Sequence, residues 1–203
     1  MKHKLLLCLA LGGSPLSVWS VTAQPPPKHG QILPGESVAG VKLRSHFSSF
    51  EAVFPRHPAF DEDDDYYCRG RVYHWLDIDK RSNGVYVYLR NDEIYQISVR
   101  TQRFALPNGI QLDASERQVQ AAYPSGRGYI LLGSGAAVVG GRDLVYWVDT
   151  GKGIAFEFHW YEEKKKRLLR AIDIFQSGSD YYPEGCISPP QEWKELGGPR
   201  AKG

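Results

Sequence analysis

Residues 144–158 read as a β-hairpin, and the same hairpin is written a second time upstream. The first strand is Leu144-Val145-Tyr146-Trp147-Val148-Asp149 and the turn is Thr150-Gly151-Lys152-Gly153. The second strand is Ile154-Ala155-Phe156-Glu157-Phe158. Its echo runs Trp75-Leu76-Asp77, a turn ending at Gly84, then Val85-Tyr86-Val87-Tyr88-Leu89. At an offset of 69, Gly40-Val41-Lys42-Leu43 falls on Gly109-Ile110-Gln111-Leu112. At the same offset Phe54-Pro55 falls on Tyr123-Pro124 and Gly84-Val85 on Gly153-Ile154. So ordered a series of matches implies a duplication.

Each copy opens with a short helix. In the second, Ser115 is a good N-cap, with Gln118 three residues on as in a capping box. Val119, Ala122 and Tyr123 recur at helical spacing, and Pro124 stops the run. In the first, Phe47, Phe50 and Phe54 supply the apolar side. A loop follows each helix, acidic at Asp61–Asp65 and glycine-rich from Gly126 to Gly141. Three strands come next, at about 71–79, 85–90 and 94–100, then at about 143–149, 154–160 and 168–175. The expected fold is therefore α+β, two tandem units, each a short helix followed by a three-stranded antiparallel meander. The units span 40–105 and 106–178, after a Pro-rich linker over 24–39 and before an irregular C-terminal tail over 179–203.

The first 23 residues read as a signal peptide. Lys2 and Lys4 precede an apolar run from Leu5 to Leu11, and Val21 and Ala23 suit a signal peptidase. The run is too short to span a membrane, which takes roughly 20 apolar residues. The expected location is the periplasm or the exterior, with no stable membrane insertion once the leader is removed. Two of the 25 Lys and Arg lie in the leader, so the rest of the chain balances 23 basic against 23 acidic residues. That neutrality excludes a nucleic-acid binder, which needs a basic face. Cys68 and Cys186 remain after cleavage, and an isolated pair in an oxidising compartment predicts a disulfide.

A meander covered by one helix leaves a sheet face free. Val85, Val87, Leu89, Ile97 and Val99, with Ile154, Phe156, Phe158, Ile172 and Ile174, should face the helices. The other face then carries Tyr86, Tyr88, Glu157 and His159, along with Gln96 and Asp173. The tryptophan strands carry large groups on both sides. Taking Val72, Leu76 and Ile78 as the core row places Tyr73, Trp75 and Asp77 outward, and by the repeat Trp147 and Asp149 as well. The candidate binding set is thus Tyr73, Trp75, Asp77, Tyr86, Tyr88, Trp147, Asp149, Glu157 and His159. Aromatic side chains of this kind anchor partners at binding hot spots. The competing reading is that the tail or the neighbouring unit covers this face and the aromatics are core.

The pattern Gly-Ile-x-Leu, a capped helix, then a meander carrying Trp-x-Asp resembles the β-lactamase inhibitor protein and the outer-membrane-assembly lipoproteins of the BamE/SmpA type. It covers about Gly40–Phe175 and is sharpest at Gly109-Ile110-Gln111-Leu112-Asp113-Ala114-Ser115. The first copy departs from it at Arg44 and His46. The resemblance implies an exported, protein-binding module without catalysis. No catalytic, metal or cofactor motif competes with that reading. Asp61, Asp63 and Asp65 have alternate spacing, but Tyr66 and Val72 stand where a calcium loop needs Gly and Glu. The histidines show no ligand spacing, and Gly133-Ser134-Gly135 lacks the nucleophile elbow. The expected partner is a protein of the cell envelope or exterior. The alternative is a glycan-binding or glycan-cleaving protein using the same aromatics.

Overall fold

A computed structural model describes residues 30–54, 61–64, 71–76, 84–132, 144–186, 188–191 and 193–197. In chain order the strands are β1 (Gly30–Leu33), β2 (Ser37–Val38) and β3 (Val41–Lys42). Helix α1 (Ser48–Val53) follows, then β4 (Asp61–Asp64), β5 (Arg71–Leu76), β6 (Gly84–Arg90), β7 (Glu93–Val99) and β8 (Phe104–Ala105). Helix α2 (Glu116–Ala122) leads into β9 (Arg127–Leu131), β10 (Leu144–Asp149), β11 (Ile154–Tyr161) and β12 (Lys166–Phe175). A 3-10 turn at Pro183–Gly185 and β13 (Trp193–Gly197) complete the series.

The α+β expectation of two tandem helix–meander units is wrong, because the strands of both copies join one sheet. Its order is β13-β9-β10-β11-β12-β7-β6-β5-β4, and a smaller sheet runs β3-β2-β1-β8. Among the described residues the protein is mainly β, and the two helices are only 6 and 7 residues long. The meanders β5-β6-β7 and β10-β11-β12 lie where alternation placed them, but β7 and β12 pair with each other: Val99 faces Ile172, Ser98 faces Asp173, Ile97 faces Ile174 and Gln96 faces Phe175. Each meander has also gained an outer strand, β4 or β9, from the segment read as a loop. The presumed irregular tail contributes β13, which pairs with β9, and the presumed linker contributes β1 and β2.

The two segments read as copies share some local backbone. Gly40 and Gly109 have φ of 86° and 80°, and Arg44 and Asp113 have φ of 64° and 68°. The segment before each helix docks on the sheet in the same way. Arg44 N–H donates to the Ile94 carbonyl at 2.7 Å and Ile94 N–H to the Ser45 carbonyl at 3.0 Å. Asp113 N–H donates to the Leu169 carbonyl and Leu169 N–H to the Ala114 carbonyl, both at 2.9 Å. α2 carries the full capping box of Ser115 and Gln118, whereas α1 has no side-chain cap. Such short helices hold only by packing. Phe47, Phe50, Phe54, Val119 and Tyr123 therefore sit in one buried cluster with Val85, Val87, Ile97, Val99, Ile154, Phe156, Phe158, Ile172 and Ile174.

Candidate binding site

Register settles which side chains share a face, since residues directly opposite on antiparallel strands point the same way. Tyr73 faces Val87 and Trp75 faces Val85 across β5–β6, and Trp147 faces Phe156 across β10–β11. All three aromatics therefore turn toward the helices, opposite to the expectation. Tyr73 packs on Phe47 with ring centroids 4.1 Å apart, and Trp75 on Phe54 at 5.5 Å. The indole N–H of Trp147 donates to the Tyr123 carbonyl at 2.8 Å. These large rings bridge the gap to helices too short to fill it. Asp149 is buried on the same side and serves local structure. It accepts from the Ser125 hydroxyl at 2.6 Å and from the Lys152 N–H at 3.1 Å. Asp77 lies outside the described residues, as does Cys68.

Tyr86, Tyr88, Glu157 and His159 do share the second face. The C-terminal segment covers much of it. Tyr181 packs against Tyr146, Phe175 and Trp193, with centroids 6.2, 5.1 and 6.0 Å away. Gly185 lies on the Tyr88 ring, and the Tyr95 hydroxyl donates to the Gly185 carbonyl. Tyr88 is buried as a result, while Tyr86 and His159 are half-buried.

A polar row crosses this face. Gln96, Ser98 and Arg100 alternate along β7 and its continuation, with Asp173 beside Ser98 and Glu157 farther along. Glu157 is the hub. Its carboxylate lies 3.7 Å from the Arg100 guanidinium, accepts from the Tyr146 hydroxyl at 3.1 Å, and shares a short hydrogen bond with the His159 ring. Arg100 in turn sits 4.9 Å from the centroid of the Tyr86 ring, a cation–π contact. The series Tyr86–Arg100–Glu157–His159 leads from the half-buried aromatic to the largely buried imidazole through an ion pair. The Arg100 side chain is 23% exposed and that of Glu157 4%.

Burial alone would raise the Glu157 pKa, but Arg100, His159 and Tyr146 outweigh it and hold the carboxyl at about 2. Asp173 goes the other way. Burial, then the negative charge of Glu157, lift it to about 6 against the pull of Ser98, Tyr181 and Arg100. Tyr181 donates its hydroxyl to Asp173 Oδ2, while Asp173 Oδ1 and the Ser98 hydroxyl come close without making a hydrogen bond. Burial is also the first cause that pushes the phenols of Tyr88, Tyr146 and Tyr181 well above the ordinary range. Alternation through Gln96-Ile97-Ser98-Val99-Arg100 was the signal for Ser98 and Arg100. Tyr146 and Tyr181 gave none, since only the long-range fold places them here.

No known protein family and no curated protein matches this chain. Two solved structures follow part of its course. The uncharacterized protein YfeY from Escherichia coli has 12% identity and a TM-score of 0.42 over 73% of this chain and 97% of that one. An extracellular protein containing a SCP domain from Bacillus anthracis has 10% identity and a TM-score of 0.39, with 66% of this chain and 44% of that one covered. Likeness at these scores carries no functional argument. Among the described residues, no helix is long and apolar enough to cross a membrane.

Proposed function

We propose that this chain is an exported protein-binding module, working in the periplasm or outside the cell. It engages its partner at the part of the second sheet face around Tyr86, Arg100, Glu157 and His159. The observation that carries this reading is the Arg100 guanidinium, held over the Tyr86 ring and beside Glu157 yet still partly open to solvent. A rigid aromatic and a pre-positioned arginine are the side chains that dominate binding energy at protein interfaces. The carboxylate of Glu157 is committed to Arg100, Tyr146 and His159, so it serves to fix the site rather than to transfer protons. Export rests on the leader-like residues 1–23 and on the pair Cys68 and Cys186, which we propose to be bonded.

The test is a photo-crosslinking residue placed at Tyr86, compared with one at exposed Leu196 on β13, in envelope and secreted fractions. A protein adduct specific to position 86, and lost in Arg100→Ala that keeps native circular dichroism, supports the reading. Binding to a glycan array that depends on Tyr86, with no protein adduct, would overturn it in favour of a carbohydrate ligand.

A further inference from the structure

The polar row does not stop where the solvent-exposed end stops. It continues beneath residues 180–186, and several of its atoms are left without hydrogen bonds there. Gln96 Nε2, Ser98 Oγ and Asp173 Oδ1 are buried and unpartnered. Gln96 and Asp173 are 3% and 2% exposed. By register Gln96 lies between Tyr88, which is under Gly185, and Phe175, which is under Tyr181. Buried polar groups are nearly always paired, so a run of orphans under one segment marks a poor match between that segment and what it covers.

The segment is held with strain at one residue. Glu184 has φ of 53° and Gly185 of 69°, and a Cβ at Gly185 would lie 2.1 Å from the Tyr88 ring. A left-handed glutamate is strained, and the close approach tolerates only glycine. Among its polar contacts with this face are the Tyr181 hydroxyl on Asp173 and the Gly185 carbonyl under the Tyr95 hydroxyl.

Building on the protein-binding reading, we propose that residues 180–186 are an internal stand-in for the partner, a strap displaced when the partner binds. The incoming group is an extended polypeptide segment. It brings an aromatic side chain to the Tyr181 seat, bracketed by Tyr146, Phe175 and Trp193. A peptide carbonyl accepts from Gln96 and a peptide N–H donates to Asp173, satisfying atoms the strap leaves unpaired. Contact begins at Tyr86 and Arg100, which are partly exposed, and proceeds along the row.

The strap's own sequence provides the probe. A synthetic peptide of residues 176–186, with serine for Cys186, is titrated against full-length wild type and against Tyr181→Ala/Gly185→Ala. In wild type the tethered copy competes at an effective concentration near the millimolar range, so the free peptide binds the double variant at least about tenfold more tightly. The same peptide with alanine for Tyr181 does not bind. Hydrogen exchange of wild type adds a readout needing no variant: strap amides exchange about 100-fold or more faster than those of the β7–β12 ladder, by local opening. A double variant with native circular dichroism that ignores the peptide would overturn the proposal. So would strap amides that exchange only on global unfolding. Either result leaves the photo-crosslinking at Tyr86 free to succeed or fail by itself.

Discussion

Glu157 and Asp173 are diagonal neighbours on β11 and β12, one facing Ala171 and the other Ala155, and their carboxyls are driven in opposite directions. Both are buried on one face. The difference is that Arg100 and His159 reach Glu157, whereas Asp173 receives hydroxyl dipoles and the repulsion of Glu157 itself. Two groups of one kind thus have separate pH signatures.

Asp173 binds its proton more tightly folded than unfolded, about 6 against 3.8, so its contribution to stability is complete below pH 3.8 and is lost as pH rises through 6. Its full span is on the order of 3 kcal/mol. Glu157, at about 2 against 4.5, contributes above pH 4.5 and loses that contribution as pH falls toward 2. The two together favour the fold most near pH 4. Urea titrations of wild type and Asp173→Asn check this. The variant gains on wild type by about 2 kcal/mol at pH 8 and shows no gain at pH 4.

Glu157→Gln leaves the partly exposed Arg100 beside a neutral amide. Breaking a half-buried pair from one side lowers stability at pH 7 by about 2 kcal/mol. The same change removes a repulsion that lifts Asp173. Carboxyl-detected NMR titration of the variant therefore finds Asp173 below its wild-type pKa of about 6.

Ser115 closes a complete capping box on α2, with the Ser115 N–H donating to Gln118 Oε1 at 2.9 Å. Ser115→Ala lowers stability by about 1 kcal/mol, read from the denaturation midpoint. Helix α1, without a side-chain cap, relies on its phenylalanines instead.

Gly126 passes directly beside the indole of Trp147, where an added Cβ would lie 2.2 Å from Nε1. Gly126→Ala must push the ring out of its bond to the Tyr123 carbonyl. Thermal melts show a loss of about 2 kcal/mol, and Trp147 fluorescence shifts as its surroundings loosen.

The proposed Cys68–Cys186 bond would close a loop of more than 100 residues, worth about 5 kcal/mol in the chain-entropy description. Peptide mapping of exported protein without reduction yields a cross-linked pair of peptides. Recovery of both thiols alkylated would remove the bond and, with it, one support for export.

Strand positions were legible in the sequence where the two sides of a strand contrast. Val85, Val87 and Leu89 alternate with tyrosines, and Ile154, Phe156 and Phe158 with Ala155 and Glu157, so their inward face could be assigned. Tyr73-His74-Trp75-Leu76 offers no such contrast, and only pairing with Val87 and Val85 fixes its phase. Gln118 behind Ser115 announced the helix cap because that chemistry is local. Pairing of β7 with β12 left no local trace: an apolar strand looks the same whether its neighbour comes from its own meander or from the other. Tyr181 was illegible for the same reason, as its seat assembles from β10, β12 and β13.

The β7–β12 ladder denies the duplicated halves any independence. Each supplies a neighbour that the other needs along its inner margin, at Ile97, Val99, Ile172 and Ile174. A chain severed between β8 and α2 would leave two fragments with raw, apolar margins, prone to find each other or to aggregate. Melting of either half strips the other of its pairing edge, so the two are expected to come apart together.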